Sequence, residues 1–410
     1  MSLKSIFIKL VFCFNRGNIL NKTISVVLAG IGGYGNLYVD ALLDNVEMRG
    51  LSFVGVVDPF PEGCRRLSEL KERNIPIFDT MDTFYKTKHA DLAVISSPIH
   101  FHKEQSCLAL SNGSNVLCEK PIAASVDESN QMIIAKEKYN KFLAIGFQWS
   151  YSRTILKLKK DIISGIFGKT KSLKTIVLWP RNKTYYARRW AGKIKDDQGR
   201  LILDSVASNA TAHYLHNMFF ILGDEIDKSD VPVQVKAELY RANDIENFDT
   251  AALYVKTKNG TDIHYYASHA VLESYGPVFE YVFENGTVSY DGSTFKANII
   301  AKLNDGTTID YGNPNEEPLN KLWMSVSAIR NETKITCPIE AAMPHVSCIE
   351  GMHRSTDVIE FPASIKHFDI NNQVIWVEGL SDMLLKCYAN LTFPSKMNAM
   401  WAKAGGVVCL

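Results

Sequence analysis

From Thr23 onward, short continuous apolar runs alternate with stretches whose apolar residues recur every three or four positions. The runs are ISVVLAG, LSFVGVVD, DLAVISS, NVLCE and FLAIGF. Between them, YVDALLDNV, EGCRRLSELKER, HKEQSCLALS and ESNQMIIAKEKYN carry helical spacing, and Ser125 with Glu128 forms a capping box ahead of the last. Strands alternating with helices predict right-handed crossovers and a doubly wound parallel sheet over residues 23–148. Continuous rather than alternating apolar strands predict helices on both faces of that sheet.

The pattern changes in residues 149–410. KTKSLKTIVLWP predicts a strand, and ASNATAHYLHNMFFILG a helix stopped by Gly223. Long β-branched and aromatic runs follow, separated by turns at Asn259-Gly260, Asn285-Gly286, Asp291-Gly292 and Asp305-Gly306. They predict a large open, mainly antiparallel sheet in an α+β domain whose bare face needs a partner. The expected assembly is a homodimer or homotetramer through that sheet.

Composition narrows the field. A chain of 410 residues suits two domains, and a net charge of +1 with mixed signs argues against a nucleic-acid or membrane partner held by bulk charge. The cysteines are scattered, without CxxC or zinc spacing, which fits reduced thiols in a cytoplasmic protein that binds no metal. Residues 1–22 look like a weak signal peptide, but Lys9 interrupts the apolar run and no small-residue cleavage site follows, so an N-terminal extension is expected.

Candidate chemistry gathers at the ends of the predicted parallel strands. Gly30, Ile31, Gly32, Gly33, Tyr34 and Gly35 match G-x-G-x-x-G between the first strand and the first helix. In that setting the glycines allow a tight turn, room for a pyrophosphate and close helix–strand packing, with the anion held at the helix start. Asp58 closes the second run roughly 20 residues beyond, at the spacing of an acid that binds the adenosine ribose. A carboxylate there repels a 2′-phosphate and favours NAD; the nearby Arg65 and Arg66 leave NADP open. Ser97, Pro98 and His102 after the DLAVI run, and Glu119 with Lys120 after NVLC, are further candidate cofactor contacts. Lys120 would point toward the nicotinamide, where desolvation can bring an ammonium into the range of acid–base work. Gln148 and Trp149 leave the last strand. WPRNKTYYARRWAG places Arg181, Tyr186 and Trp190 where aromatic faces and guanidinium forks suit a sugar.

AGIGGYG, VVDP, SSPIHFH and CEKP together resemble the glucose–fructose oxidoreductase/inositol dehydrogenase (Gfo/Idh/MocA) family over the first domain and, more loosely, beyond it. The resemblance implies that Lys120 contacts the reacting hydroxyl and that Pro121 follows a cis peptide in a strained turn. The family's second signature, D-x-G-x-H-x-x-D before a Leu-Gly end, falls on Asn209, Thr211, His213 and His216, counted back from Gly223. His213 then takes the acid–base position, Asn209 stands where an aspartate is expected and would orient it, and His216 replaces the final acid on the substrate side.

The implied activity is NAD(P)-dependent hydride transfer at a secondary hydroxyl of a sugar, inositol or related polyol. An NAD-dependent glycosidase working by transient oxidation, and a regulator that senses NAD or a sugar without chemistry, are the alternatives. The asparagine at position 209 keeps the regulator in view.

Overall fold

The computed structural model describes residues 23–294 and 296–410; the N-terminal extension and Cys13 lie outside the described residues. The first domain is a six-stranded parallel sheet of β1 (Ile24–Ala29), β2 (Leu51–Val57), β3 (Ile77–Phe78), β4 (Leu92–Ile95), β5 (Asn115–Cys118) and β6 (Leu143–Ile145), in the order β3-β2-β1-β4-β5-β6. Every residue of β4 and of β6 is buried, because helices cover both faces. Those helices are α1 (Gly35–Asn45), α2 (Leu67–Glu72), α3 (Met81–Tyr85), α4 (His102–Ser111) and α5 (Val126–Lys138). Half of the expected capping box of α5 is present: the Ser125 hydroxyl accepts the Glu128 N–H at 3.2 Å, but the Glu128 carboxylate accepts the Ala124 N–H at 3.1 Å instead of that of Ser125. Two-residue β3 has no counterpart among the predicted strands; behind Pro76 it is too short to show a period.

The second domain opens with α6 (Arg153–Ile163), β7 (Thr170–Leu178) and the short α7 (Lys183–Tyr186). A five-residue π-helical turn, Val206–Ala210, leads into α8 (Ala212–Ile221). Then come β8 (Pro232–Arg241), β9 (Thr250–Thr257), β10 (Asp262–Ser268), β11 (Tyr275–Phe283), β12 (Gly286–Asp291), β13 (Ile299–Leu303) and β14 (Thr308–Gly312). The chain finishes with α9 (Asn320–Ile329), α10 (Ile339–Ser355), β15 (Val358–Glu360), the β16 (Lys366–Asp369) and β17 (Val374–Val377) pair, α11 (Leu380–Asn390) and β18 (Val407–Cys409). The large sheet has ten strands, ordered β14-β13-β12-β11-β7-β10-β9-β8-β15, with β18 also on β8. Most pairs are antiparallel as expected, but β10 runs parallel to β7 and β15 parallel to β8.

One face of this sheet carries the row Phe279, Thr175, Tyr265, Leu253 and Ala237 under α8. Helix α8 is apolar almost all round, and nine of its residues are buried, so it is a core helix rather than a surface one. The opposite face is not bare, contrary to expectation. Ile176, Tyr266 and Ala252 lie beneath Leu380, Leu384 and Cys387 of α11. The next row along the same face is polar: Glu280, Lys174, His264, Tyr254 and Lys236.

The C-terminal part also returns to the first domain. Leu322 and Val326 of α9 join the core formed by β1, β2 and α1, while α10 bridges both domains through Ile339, Ala342 and Val346 on one side and Cys348, Ile349 and Met352 on the other. Cys64, Cys107, Cys118, Cys337, Cys348, Cys387 and Cys409 are free thiols, and no helix among the described residues is long and apolar enough to cross a membrane.

Because α8 fills the core against the large sheet, that core should be sensitive to truncation. Phe219→Ala removes a fully buried ring and should destabilise the fold by about 3–5 kcal/mol, read as a lower urea midpoint with an unchanged slope.

Candidate active site

The loop between β1 and α1 is built for close approach. Gly30 has φ +81°, and a Cβ there would sit 2.6 Å from the Ser96–Ser97 backbone; one on Gly35 would lie 2.0 Å from the Gly30 carbonyl oxygen. Gly33, at φ +50°, would meet nothing within 4 Å, so the loop is packed on its inner side and open on its outer side. Asp58 supports it, accepting the Ile31 N–H at 2.9 Å and the Phe60 N–H at 2.9 Å. A dinucleotide fits these residues: the N–H groups of Gly32, Gly33 and Tyr34 just ahead of α1, which take no backbone bond, a glycine surface facing outward, and a carboxylate with remaining lone pairs beside it. Arg65 is paired with Asp40 at 2.7 Å, and Arg66 with Asp44 at 2.7 Å and Glu69 at 2.7 Å. Both guanidiniums are committed to carboxylates, which favours NAD over a 2′-phosphorylated cofactor.

At the end of β5 the two charges of the E-K-P turn part company. Glu119 is buried; its carboxylate accepts the Tyr38 hydroxyl at 2.6 Å, the Lys120 N–H at 3.2 Å and the ammonium of Lys321. Lys321, itself buried, also donates to the Gly146 carbonyl at 3.1 Å and lies 4.7 Å from the Tyr34 ring centre. Burial would raise the Glu119 pKa, but Lys321 outweighs it and holds the carboxyl below its ordinary range. Glu119 is therefore a support for the turn and not the cofactor contact expected. The same correction applies to His102: it is buried, with one ring nitrogen 2.8 Å from the Pro121 carbonyl and the other 2.9 Å from that of Ser97. It ties the β4 loop to the E-K-P turn, whose Lys120–Pro121 peptide is cis. Ser97 hydrogen-bonds Gln105 at 2.6 Å and, with Pro98, remains half-buried beside Gly30.

The Lys120 ammonium reaches across to the second domain. It donates to the Asn209 backbone carbonyl at 2.8 Å and to the Asn209 side-chain oxygen at 2.9 Å. The Asn209 amide in turn donates to Asp204 at 2.8 Å, and the other Asp204 oxygen accepts the Gly192 N–H at 2.6 Å. Burial brings the Lys120 pKa down to about 8, against the attraction of Glu119, and lifts Asp204 to about 6, against its two hydrogen bonds. His213 follows on α8. Burial first, and then the Lys120 charge, hold it well below the usual imidazole range. Its Nδ1 is buried with no protein partner, and its ring meets Phe147 edge-on at 5.8 Å. The structure thus brings Lys120 and His213 into one electrostatic neighbourhood. Asn209, expected to orient His213, is instead bonded to Lys120 and Asp204. Its carbonyl oxygen suits an ammonium donor, which an unprotonated ring nitrogen cannot replace.

These elements can be set beside known proteins. Residues 24–147 match the GFO_IDH_MocA family model, described as an oxidoreductase family with an NAD-binding Rossmann fold. By that match the first domain is of the Gfo/Idh/MocA type. Among curated relatives it is 28% identical over 150 residues to 2,7-anhydro-N-acetylneuraminate hydratase of Mediterraneibacter gnavus, covering 36% of this chain and 38% of that protein. It is 25% identical over 210 residues to inositol 2-dehydrogenase of Rubrobacter xylanophilus, covering 51% of this chain and 55% of the relative. These matches span about half the length of the relatives or less. The crystal structure of the WlbA dehydrogenase from Bordetella pertussis in complex with NADH and UDP-GlcNAcA superposes with a TM-score of 0.66 at 18% identity, over 81% of this chain and 96% of that one, which establishes the shared fold.

The residues expected on the substrate side divide. Trp149 is buried in the sheet core, its Nε1 donating to Asn315 at 2.9 Å and its ring 5.0 Å from Tyr214. His216 is also buried, stacked on Phe147 at 3.9 Å and 2.9 Å from the Ser150 hydroxyl. Both are core residues, which corrects their assignment to the substrate. Flanking a strand end and lying on the apolar side of α8, they fill space that the helix must cover. Gln148, Arg181, Tyr186 and Trp190 are half-buried. Among the described residues no cluster of His, Cys, Asp or Glu could hold a metal ion.

Lys321 and Tyr38 are absent from the candidates that the sequence suggests, although a lysine on the apolar side of LNKLWMSVSAI is a usable signal. Motif spacing reaches Asp204 only in a register that puts Ser208 in the histidine position. In the structure Asp204 and Asn209 act together, and the Ser208 hydroxyl is spent on the Leu203 carbonyl at 2.8 Å.

If Asp58 both supports the glycine loop and faces the ribose, Asp58→Ala should weaken NADH binding roughly 10-fold, about 1.4 kcal/mol. It should weaken NADPH binding less, as read by fluorescence titration of each nucleotide.

Proposed function

We propose that this protein is an NAD-dependent oxidoreductase that transfers hydride between nicotinamide and a secondary hydroxyl of a sugar, inositol or related polyol. The observation that carries the proposal is the half-buried Lys120 ammonium, donating to Asn209 and close enough to act on the His213 ring with its unpartnered nitrogen, at the end of β5, one strand removed from the β1 that carries the dinucleotide loop. Support also comes from relatives named for such chemistry, among them D-glucoside 3-dehydrogenase of Escherichia coli.

When bound, the nicotinamide supplies the hydride acceptor. The residues of the chain position the hydroxyl and handle its proton. Lys120, with a pKa of about 8, is neutral in roughly a tenth of molecules at pH 7, enough to accept the hydroxyl proton as the C–H bond breaks. His213, held neutral by burial, supports the same oxygen by a hydrogen bond. The expected order of roles is therefore reversed: Lys120 is the base and His213 its partner. Asn209 and Asp204 are positioning residues that hold the Lys120 side chain between the domains. Self-association through the large sheet would use its polar row, since α11 occupies the apolar one.

Net oxidation should appear as NADH accumulating with a polyol or sugar substrate; cleavage of an aryl glycoside without net NADH would favour the glycosidase alternative. Lys120→Ala should lower kcat/KM by about 10²–10⁴ with NADH affinity retained; a variant as active as the parent removes Lys120 from the mechanism. In the oxidation direction kcat/KM should rise with pH and level off above about 8, as Lys120 loses its proton. Asp204→Asn removes a charge that favours the ammonium, so the rise should move to lower pH.

A further inference from the structure

The segment between β7 and α7, continuing to Trp190, carries three arginines that no carboxylate answers. None of the ion pairs among the described residues uses Arg181, Arg188 or Arg189, although neighbouring cations are matched: Lys193 with Asp197 at 3.3 Å, Arg200 with Asp196 at 2.6 Å, and Lys366 with Glu360 at 2.7 Å. Arg181 is half-buried, with its guanidinium 5.1 Å from the Tyr185 ring centre and 5.7 Å from that of Trp179. Its Nη1 reaches only the Pro180 carbonyl, at 3.3 Å, and its Nε is buried with no partner. Arg188 lies over the Tyr185 ring at 3.9 Å and the Trp190 ring at 4.6 Å, and spends only its Nε, on the Tyr185 carbonyl at 2.9 Å. Arg188 and Arg189 are exposed, but Arg181 is partly withdrawn from water without a counter-ion, which is unfavourable, and the fork geometry of a guanidinium suits a bidentate oxyanion.

The nearest buried acids are already engaged. Asp204 accepts from Gly192 and Asn209, and Asp249 accepts the Ala242 N–H at 3.0 Å, the Asn243 N–H at 2.9 Å and the Asn243 side chain at 2.8 Å. Two other groups beside Arg181 are orphaned in the same way. The Tyr186 hydroxyl is buried without a partner, as is Nε2 of His269. The Nδ1 of His269 lies 2.7 Å from the Trp179 carbonyl, so it is assigned the proton, and Nε2 is left as an acceptor suited to a ligand hydroxyl. The Arg188 side reaches a cavity of about 950 Å³, also lined by Tyr186, Arg189, Arg241, Asn243 and Phe368, so a sizeable substituent has room.

We propose that the substrate is an anionic polyol or sugar, whose carboxylate or phosphate is held by Arg181 and Arg188 while Tyr186 and His269 take its hydroxyls. This rests on the sugar or polyol chemistry proposed above and specifies which members of that class bind. Arg181 would also select against neutral sugars, because binding one leaves its half-buried guanidinium uncompensated.

Calorimetric titration of the NADH-loaded protein with D-glucuronate, glucose 6-phosphate and methyl glucoside tests the proposal. At least one anion should bind 10-fold or more tighter than the neutral glycoside, and the tighter anion distinguishes carboxylate from phosphate. Arg181→Gln should erase the preference, Arg181→Lys should retain part of it, and NADH affinity should not change in either. Equal affinity for all three probes, a uniform loss in Arg181→Gln, or binding of neither anion at millimolar concentration overturns the proposal. NADH is titrated first: failure at that step would count against the dinucleotide chemistry, and the anion preference would then be scored on the protein without nucleotide.

Discussion

The buried ion pair between Glu119 and Lys321 is the contact on which the site depends. It joins the end of β5 to a helix some two hundred positions later in the chain, and it draws in Tyr38 from the first helix and the carbonyl of Gly146. Two desolvated charges persist because each finds further hydrogen bonds; deleting either partner would leave an isolated charge in a dry interior. The pair also turns the glutamate inward, leaving the adjacent lysine as the charged side chain of the turn that faces the second domain. The first residue of E-K-P anchors the turn, and the second crosses to the second domain.

That arrangement sets the balance of burial and charge at Lys120, where Lys321 and Arg188 add to the effect of burial. Burial lowers its pKa, Glu119 and Asp204 draw it back up, and the balance falls near 8. The asparagine at position 209 belongs to the same balance. A carboxylate there would hold the ammonium more firmly, whereas a neutral amide fixes the position of Lys120 with less stabilisation of its charge. Moving the carboxylate one hydrogen bond away, to Asp204, keeps the geometry and softens the electrostatics.

The two-domain plan was legible in part. Continuous apolar runs ending in glycine gave away the parallel sheet, since strands covered on both faces carry no polar alternate positions. The glycine loop and Asp58 were legible for a related reason: their backbone geometry demands particular residue types in a local order. Trp149 and His216 misled because aromatic and imidazole side chains near a strand end look alike whether they face a ligand or a core. The cover of α11 over the second sheet face was not visible, because its partner strands lie more than a hundred residues earlier in the chain.

By itself the sequence determined the strand–helix alternation, the phosphate-binding turn and the lysine at the mouth of β5, all governed by interactions between residues close along the chain. Tertiary structure alone decided that Glu119 pairs with Lys321, that Asn209 serves Lys120 instead of His213, and that three arginines stand without counter-ions. Those outcomes depend on which distant groups share a desolvated volume. Charge and hydrogen-bond partners are assigned there by distance and burial, and a linear order of residues specifies neither.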